Sequence, residues 1–146
     1  MSASDDGKTP KRGYWIVATI ALLWNLVGVA TYLVTVTLDA GALASMPEAE
    51  RALYEDMPSW VTACYAIAVF GGSGGCLLLL LRKAWAVPVL VLSLLAVLLQ
   101  TGHTLFMTPM VEVLGAASLV LPMLIILVAA CLVWFSRSAQ QKGWLA

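Results

Sequence analysis

Four long apolar runs are separated by short polar ones along this chain, at about residues 13–38, 60–81, 84–107 and 113–135. Each exceeds the roughly 20 residues that carry an α-helix across a 30 Å hydrocarbon layer. The pattern predicts an all-α integral membrane protein of four transmembrane helices in an antiparallel bundle. The connection at Arg82–Lys83 is too short to leave helices 2 and 3 anywhere but adjacent. Residues 1–12 are expected to be a disordered cytoplasmic segment and residues 136–146 a cytoplasmic tail. A Lys/Arg cluster precedes the first run, as in a signal peptide. The run is far longer than the 7–15 residue apolar region of such a peptide and lacks a small-residue cleavage site, so it reads as a retained helix.

The longest connection, residues 39–59, carries its own helix signal. Ser45-Met46-Pro47-Glu48 has a capping hydroxyl, a proline tolerated in a first turn and an acid three residues after the cap. Met46, Ala49, Leu53 and Met57 then share one face, with Glu48, Glu55 and Asp56 on the other. A short amphipathic helix is expected there, on the bilayer surface or capping the bundle. Pro58 ends it, and Ser59 can cap helix 2. Thr108-Pro109 breaks helix 3, and Glu112 falls at the start of helix 4. Pro88 and Pro122 are positioned to kink helices 3 and 4, with packing or motion as alternative reasons.

Composition narrows the class. Of 146 residues, 62% are hydrophobic and 11% charged, where a soluble domain has about 45–50% and 25%. A soluble globular protein is excluded. The net charge of +0 conceals an axial asymmetry. Lys8, Lys11 and Arg12 precede helix 1, Arg82 and Lys83 join helices 2 and 3, and Arg137 and Lys142 follow helix 4. Only Arg51 lies on the other side, among Asp39, Glu48, Glu50, Glu55 and Asp56. Basic residues mark the cytoplasmic face, so both termini are expected inside. Tyr14, Trp15, Trp60, Trp85 and Trp134 sit at helix ends, as an aromatic belt requires. No basic patch supports a nucleic-acid partner; the lipid bilayer is the partner expected.

Two polar stripes are candidate sites. On helix 1, Ala18, Ala21, Asn25, Gly28, Tyr32 and Thr35 recur at helical spacing and share a face. On helix 3, Ser93, Ala96, Gln100, His103 and Met107 do the same, and Glu112 could approach His103 where the chain folds back. Asn25, Tyr32, Gln100, His103 and Glu112 are thus candidate solute-binding residues, although interhelical packing explains the same stripes. Gly28, Gly71 and Gly75 are candidate helix-packing residues; Gly71xxxGly75 also permits a hinge. Cys64, Cys76 and Cys131 show no CxxC spacing and read as small buried residues. One histidine leaves too few ligands for a metal site and rules out bis-histidine haem. No Walker loop or nucleophile elbow is present. Neither cofactor, metal nor catalytic residue is expected, and the chain is not expected to be an enzyme.

Several stretches together resemble an uncharacterised family of small four-helix bacterial inner-membrane proteins sometimes labelled "sugar transporter". They are Leu23-Trp24-Asn25-Leu26-Val27-Gly28, Leu53-Tyr54, Pro58-Ser59-Trp60, Ala66–Gly72, Gly75-Cys76, Ser93-Leu94, Gln100 and Lys142-Gly143-Trp144-Leu145. The resemblance spans about residues 13–145. It implies four helices in a bacterial inner membrane and supplies no site residues. Small multidrug transporters are similar in size only, since those need a carboxylate in helix 1, where this chain has Asn25. The leading expectation is a transporter or permease component for a small neutral, sugar-like solute, working as a homo-oligomer or with a membrane partner. The alternative is a non-transporting accessory protein. A membrane enzyme would rest on His103 and Glu112 alone.

Overall fold

The computed structural model describes residues 9–146, and all regular structure among them is helical. Helix α1 spans Arg12–Val36. Two short helices, α2 (Ala40–Ala44) and α3 (Glu48–Glu55), precede α4 (Ser59–Leu80) and α5 (Ala86–Met107). Then come α6 (Met110–Leu114), a 3-10 turn at Ala116–Leu119, and α7 (Val120–Gln141). Four helices are long and apolar enough to cross a bilayer: α1, α4, α5, and α7 with its leading turn. They pack as a bundle. The expected disorder of residues 1–12 falls mostly outside the described residues, as does Lys8; Arg12 already opens α1.

The long helices are apolar all round rather than on one face, which is what a lipid-facing helix needs. On α1, Ile16, Ile20, Leu23 and Val27 lie on the outside, and Leu92, Leu95 and Leu99 do the same on α5. Water would penalise so much exposed apolar surface, whereas a hydrocarbon phase would not. Trp15, Trp85 and Trp134 project outward toward one end and Trp60 toward the other.

Helix α4 packs against both α1 and α5, and α5 against α7, while α1 meets α7 through Tyr14 and Phe135. Contacts along α1 and α4 run in opposite directions. Asn25 meets Cys76, Gly28 meets Val69, and Tyr32 meets Tyr65. Between α4 and α5, Gly75 meets Leu90, Ser93 bonds Ala68, and Trp60 meets His103. Both pairs are therefore antiparallel. Close approach is possible because α4 carries its glycines where its neighbours press hardest. A Cβ on Gly75 would meet Leu90 Cγ at 2.6 Å, and one on Gly28 would meet Val69 Cγ1 at 3.2 Å.

Lys11, Arg12, Arg82, Lys83, Arg137 and Lys142 gather at one end of the bundle, with Arg51 and most of the carboxylates of the described residues at the other. At the basic end all four long helices share one core. Tyr14, Ala18 and Ala21 from α1, Cys76 and Leu79 from α4, Ala86 and Leu90 from α5, and Leu132 and Ala139 from α7 are buried together. Tyr14 stacks on Phe135 at 5.5 Å between ring centroids and donates its hydroxyl to the Leu79 carbonyl. A smaller cluster of Ala68, Ala96 and Val97, with Ile125 and Ile126, ties α4, α5 and α7 nearer the acidic end.

Several local details differ from the sequence expectations. Residues 136–146 are not a free tail. Helix α7 runs to Gln141, and the chain then turns at Gly143 so that Leu145 is buried in the basic-end core. Ser45 closes α2, bonding back to Ala42, and α3 starts after Pro47 without a side-chain cap. The reason is that Asp39 accepts from Ala42 N and nucleates α2 first. Ser59 likewise lies inside α4, whose cap position is Pro58. Helix 4 begins later than expected, because Gly115, at φ 86°, breaks the chain between α6 and the 3-10 turn. Pro88 and Pro122 are each the third residue of a helix. Their missing N–H would have had no intrahelical partner there, so neither removes a ladder bond.

Candidate functional site

The polar stripe of α1 faces α4, and its members meet different surroundings at different depths. Asn25, part-buried, donates from Nδ2 to its own Ala21 carbonyl at 2.8 Å and to Cys76 Sγ at 3.5 Å. Its Oδ1 occupies the space over Gly72 that any Cβ would fill. Ser93 of α5 reaches the same Cβ position on Gly72, its hydroxyl 3.4 Å away, and donates to the Ala68 carbonyl at 2.7 Å. Asn25 and Ser93 therefore converge on one glycine of α4, and their donors are taken up by Ala21 and Cys76 and by Ala68. Such contacts hold helices together where lipid supplies no hydrophobic driving force.

Seven residues further along α1, about 10 Å by helical rise, Tyr32 enters an aromatic cluster. Its ring meets Tyr65 edge-on at 5.2 Å and Phe70 at 5.7 Å. Above this cluster the helices part. A cleft of about 300 Å³ opens between the ends of α1 and α4, roofed by α2 and α3. Thr35, Tyr54, Glu55, Thr62 and Tyr65 supply its polar lining, and Leu38, Leu43 and Met57 supply apolar walls. The Tyr65 hydroxyl faces Thr35, whose own hydroxyl donates to the Thr31 carbonyl at 2.9 Å and keeps its lone pairs available. Glu55 sits at the exposed rim with Arg51 at 3.7 Å.

The candidates on α5 lie across α4 from this cleft. The His103 ring meets Trp60 edge-on at 5.1 Å, and Gln100 is half-buried one turn deeper. Glu112 is exposed on α6, and no hydrogen bond or ion pair links it to His103. The five candidates thus divide among three places. Asn25 and Tyr32 lie in the α1–α4 interface, Gln100 and His103 on α5 toward α4, and Glu112 on the surface. The two stripes come together at Gly72, where Asn25 and Ser93 both approach, whereas Tyr32 meets Tyr65 and His103 meets Trp60. No protein family, curated protein or solved structure matches the chain. The site must be argued from its own residues.

Of the cleft residues, Thr35 is legible as part of the α1 stripe, and Tyr32 of the same stripe packs on the cleft residue Tyr65. Thr62 and Tyr65 escape sequence reasoning, although their three-residue spacing puts them on one face of α4. Isolated hydroxyls are too common in membrane helices to stand out without knowledge of what they face. Tyr54 and Glu55 come from a helix whose apolar face drew attention away from its end. Among the described residues, no three potential metal-ligating side chains converge.

Proposed function

We propose that this is a multi-pass bacterial inner-membrane protein with both termini in the cytoplasm, serving as a transporter or permease component for a small neutral, sugar-like solute. The observation that carries this reading is a hydroxyl-lined cleft open at the acidic end, above a basic end closed by the shared core. The hydroxyls of Thr62 and Tyr65 can each donate and accept, and that of Thr35, already donated to Thr31, can accept, which matches the donor–acceptor pairs of a polyol. Tyrosine faces and apolar walls suit the C–H surface of such a ring. Glu55, the one carboxylate present, is at the rim beside Arg51, so it gives a cation little advantage. A second copy or a membrane partner would complete the solute path.

Proteoliposomes holding the purified protein should take up at least one member of a panel of neutral sugars and polyols faster than empty vesicles. The Tyr65→Phe variant should slow that uptake. If no solute moves faster than in empty vesicles, the transport reading fails.

A second reading, a non-transporting accessory protein, is favoured by the engagement of Asn25 and Ser93 in helix packing. Crosslinking in intact cells would then recover one dominant membrane partner, and recovery of the protein alone would remove this reading. An enzymatic role has less support, because no hydrogen bond or ion pair joins His103 to Glu112.

A further inference from the structure

At the basic end, the segment after α7 folds back as a strap. The ladder of α7 ends in two bonds that reverse the chain, Gly143 N to Gln140 O at 3.0 Å and Trp144 N to Ala139 O at 3.0 Å. Gly143 takes φ 76°, a conformation that side chains with a Cβ rarely adopt. An equivalent reversal ends α4, where Lys83 N reaches Leu78 O and Arg82 itself takes φ 57°. These two turns dock on each other. Ala146 N donates to Arg82 O at 2.8 Å, Ala84 N donates to Ala146 O at 2.7 Å, and Arg82 Nε donates to Trp144 O at 2.9 Å.

The strap carries two apolar side chains that close the end of the bundle. Trp144 meets Tyr14 edge-on at 5.7 Å, and Lys142 Nζ lies 4.7 Å from the Trp144 ring centre. Leu145 is buried in the same core as Cys76 and Leu79. That core is otherwise rich in small side chains (Ala18, Ala21, Ala86 and Ala139), so Leu145 and the Tyr14–Phe135–Trp144 aromatics fill much of its volume. Releasing the strap would break at least these three docking hydrogen bonds and no turn of α7, because Gly143 is a hinge placed after its last turn.

We propose that Gly143–Ala146 is an inner gate: a strap that seals the basic end when docked on Arg82–Ala84 and Tyr14, and opens it toward Cys76 when released. Its use as a gate rests on the solute-transport reading, but its test requires no solute. Closing contacts at one end beneath a cleft open at the other are the two elements that alternating access needs. The fully buried Cys76 is a natural reporter, about one turn from the end of α4.

The test is the rate at which N-ethylmaleimide alkylates Cys76 in the full chain carrying Cys64→Ser and Cys131→Ser. For a buried group in fast opening equilibrium, that rate follows the population of the open form. Trp144→Ala should raise it about tenfold by removing the aromatic contact. Trp144→Phe keeps an aromatic edge and should stay near the parent rate. Gly143→Ala leaves every side chain of the strap in place but strains the hinge, and should raise the rate by a smaller factor. If Trp144→Ala loses helical content by circular dichroism, the outcome is decided on Gly143→Ala alone. Cys76 as protected in Gly143→Ala as in the parent overturns the gate. A gate that responds in a protein transporting nothing would instead leave the gate standing and remove the transport reading.

Discussion

The side-chain oxygen of Asn25 stands where a Cβ on Gly72 would have to go. Gly72→Ala therefore cannot be absorbed by a rotamer change without giving up the Asn25 bonds to Ala21 and Cys76. The expected cost is about 1–3 kcal/mol of stability, the usual range for overpacking a tight contact. Asn25→Ala alone should cost about 1 kcal/mol or less, as interhelical polar contacts in membranes do. Combining the two should recover much of the Gly72→Ala loss, since the obstruction has gone. Unfolding in mixed detergent micelles would measure all three, and additivity to within about 0.5 kcal/mol would show that the two residues do not compete for one space.

Ser93, which reaches the same Gly72 from α5, offers a milder test. Its hydroxyl is buried and bonded to the Ala68 carbonyl, which already belongs to a helix ladder. Ser93→Ala removes the donor and leaves no orphaned N–H. A loss of about 0.6 kcal/mol is expected, the average for such bonds between membrane helices. Ser93→Val should cost more, because the Ser93 Cβ already stands 3.4 Å from the position of a Cβ on Gly71.

How much of this was legible in the sequence depends on the range of the interaction concerned. The four helices follow from apolar length alone, and the short Arg82–Lys83 connection requires antiparallel neighbours. Periodicity also puts Asn25, Gly28 and Tyr32 on one face of α1, and that face does meet α4. What periodicity cannot supply is the partner facing each stripe. The α1 and α5 stripes look alike as patterns, yet they meet α4 at different residues away from Gly72: Asn25 bonds Cys76, whereas His103 packs on Trp60. The cleft was illegible for the same reason, being made by four segments whose single hydroxyls are unremarkable alone. The strap was hidden by composition. A polar run, Ser138–Lys142, precedes Gly143 and gives the end of the chain the look of a solvated tail, although Trp144 and Leu145 have the apolar surface to fold back.

Pro88 and Pro122 look like kink sites in sequence but lie in first turns. Replacing either with Ala should change stability by only about 0.5 kcal/mol, because no ladder bond is restored there. Moving the proline one and a half turns inward, as in Leu94→Pro, should cost about 3 kcal/mol or more. Equal effects of Leu94→Pro and Pro88→Ala in the same unfolding assay would contradict the assigned start of α5.

The charge partition makes an orientation testable with two surface positions. Ser45 is exposed beside the acidic connection, and Gln141 is exposed at the end of α7 among the basic residues. Moving Lys or Arg across a membrane is disfavoured during insertion, so the basic end is expected to stay in the cytoplasm. In a chain whose native cysteines are replaced, Ser45→Cys should react with an impermeant maleimide added to intact spheroplasts. Gln141→Cys should react only after lysis. Changing Arg82, Lys83, Arg137 and Lys142 to neutral residues should weaken this preference, giving partial labelling at both positions. The reverse pattern in the parent chain, with Gln141→Cys labelled from outside, would place the hydroxyl-lined cleft on the cytoplasmic face and turn the proposed direction of solute entry around.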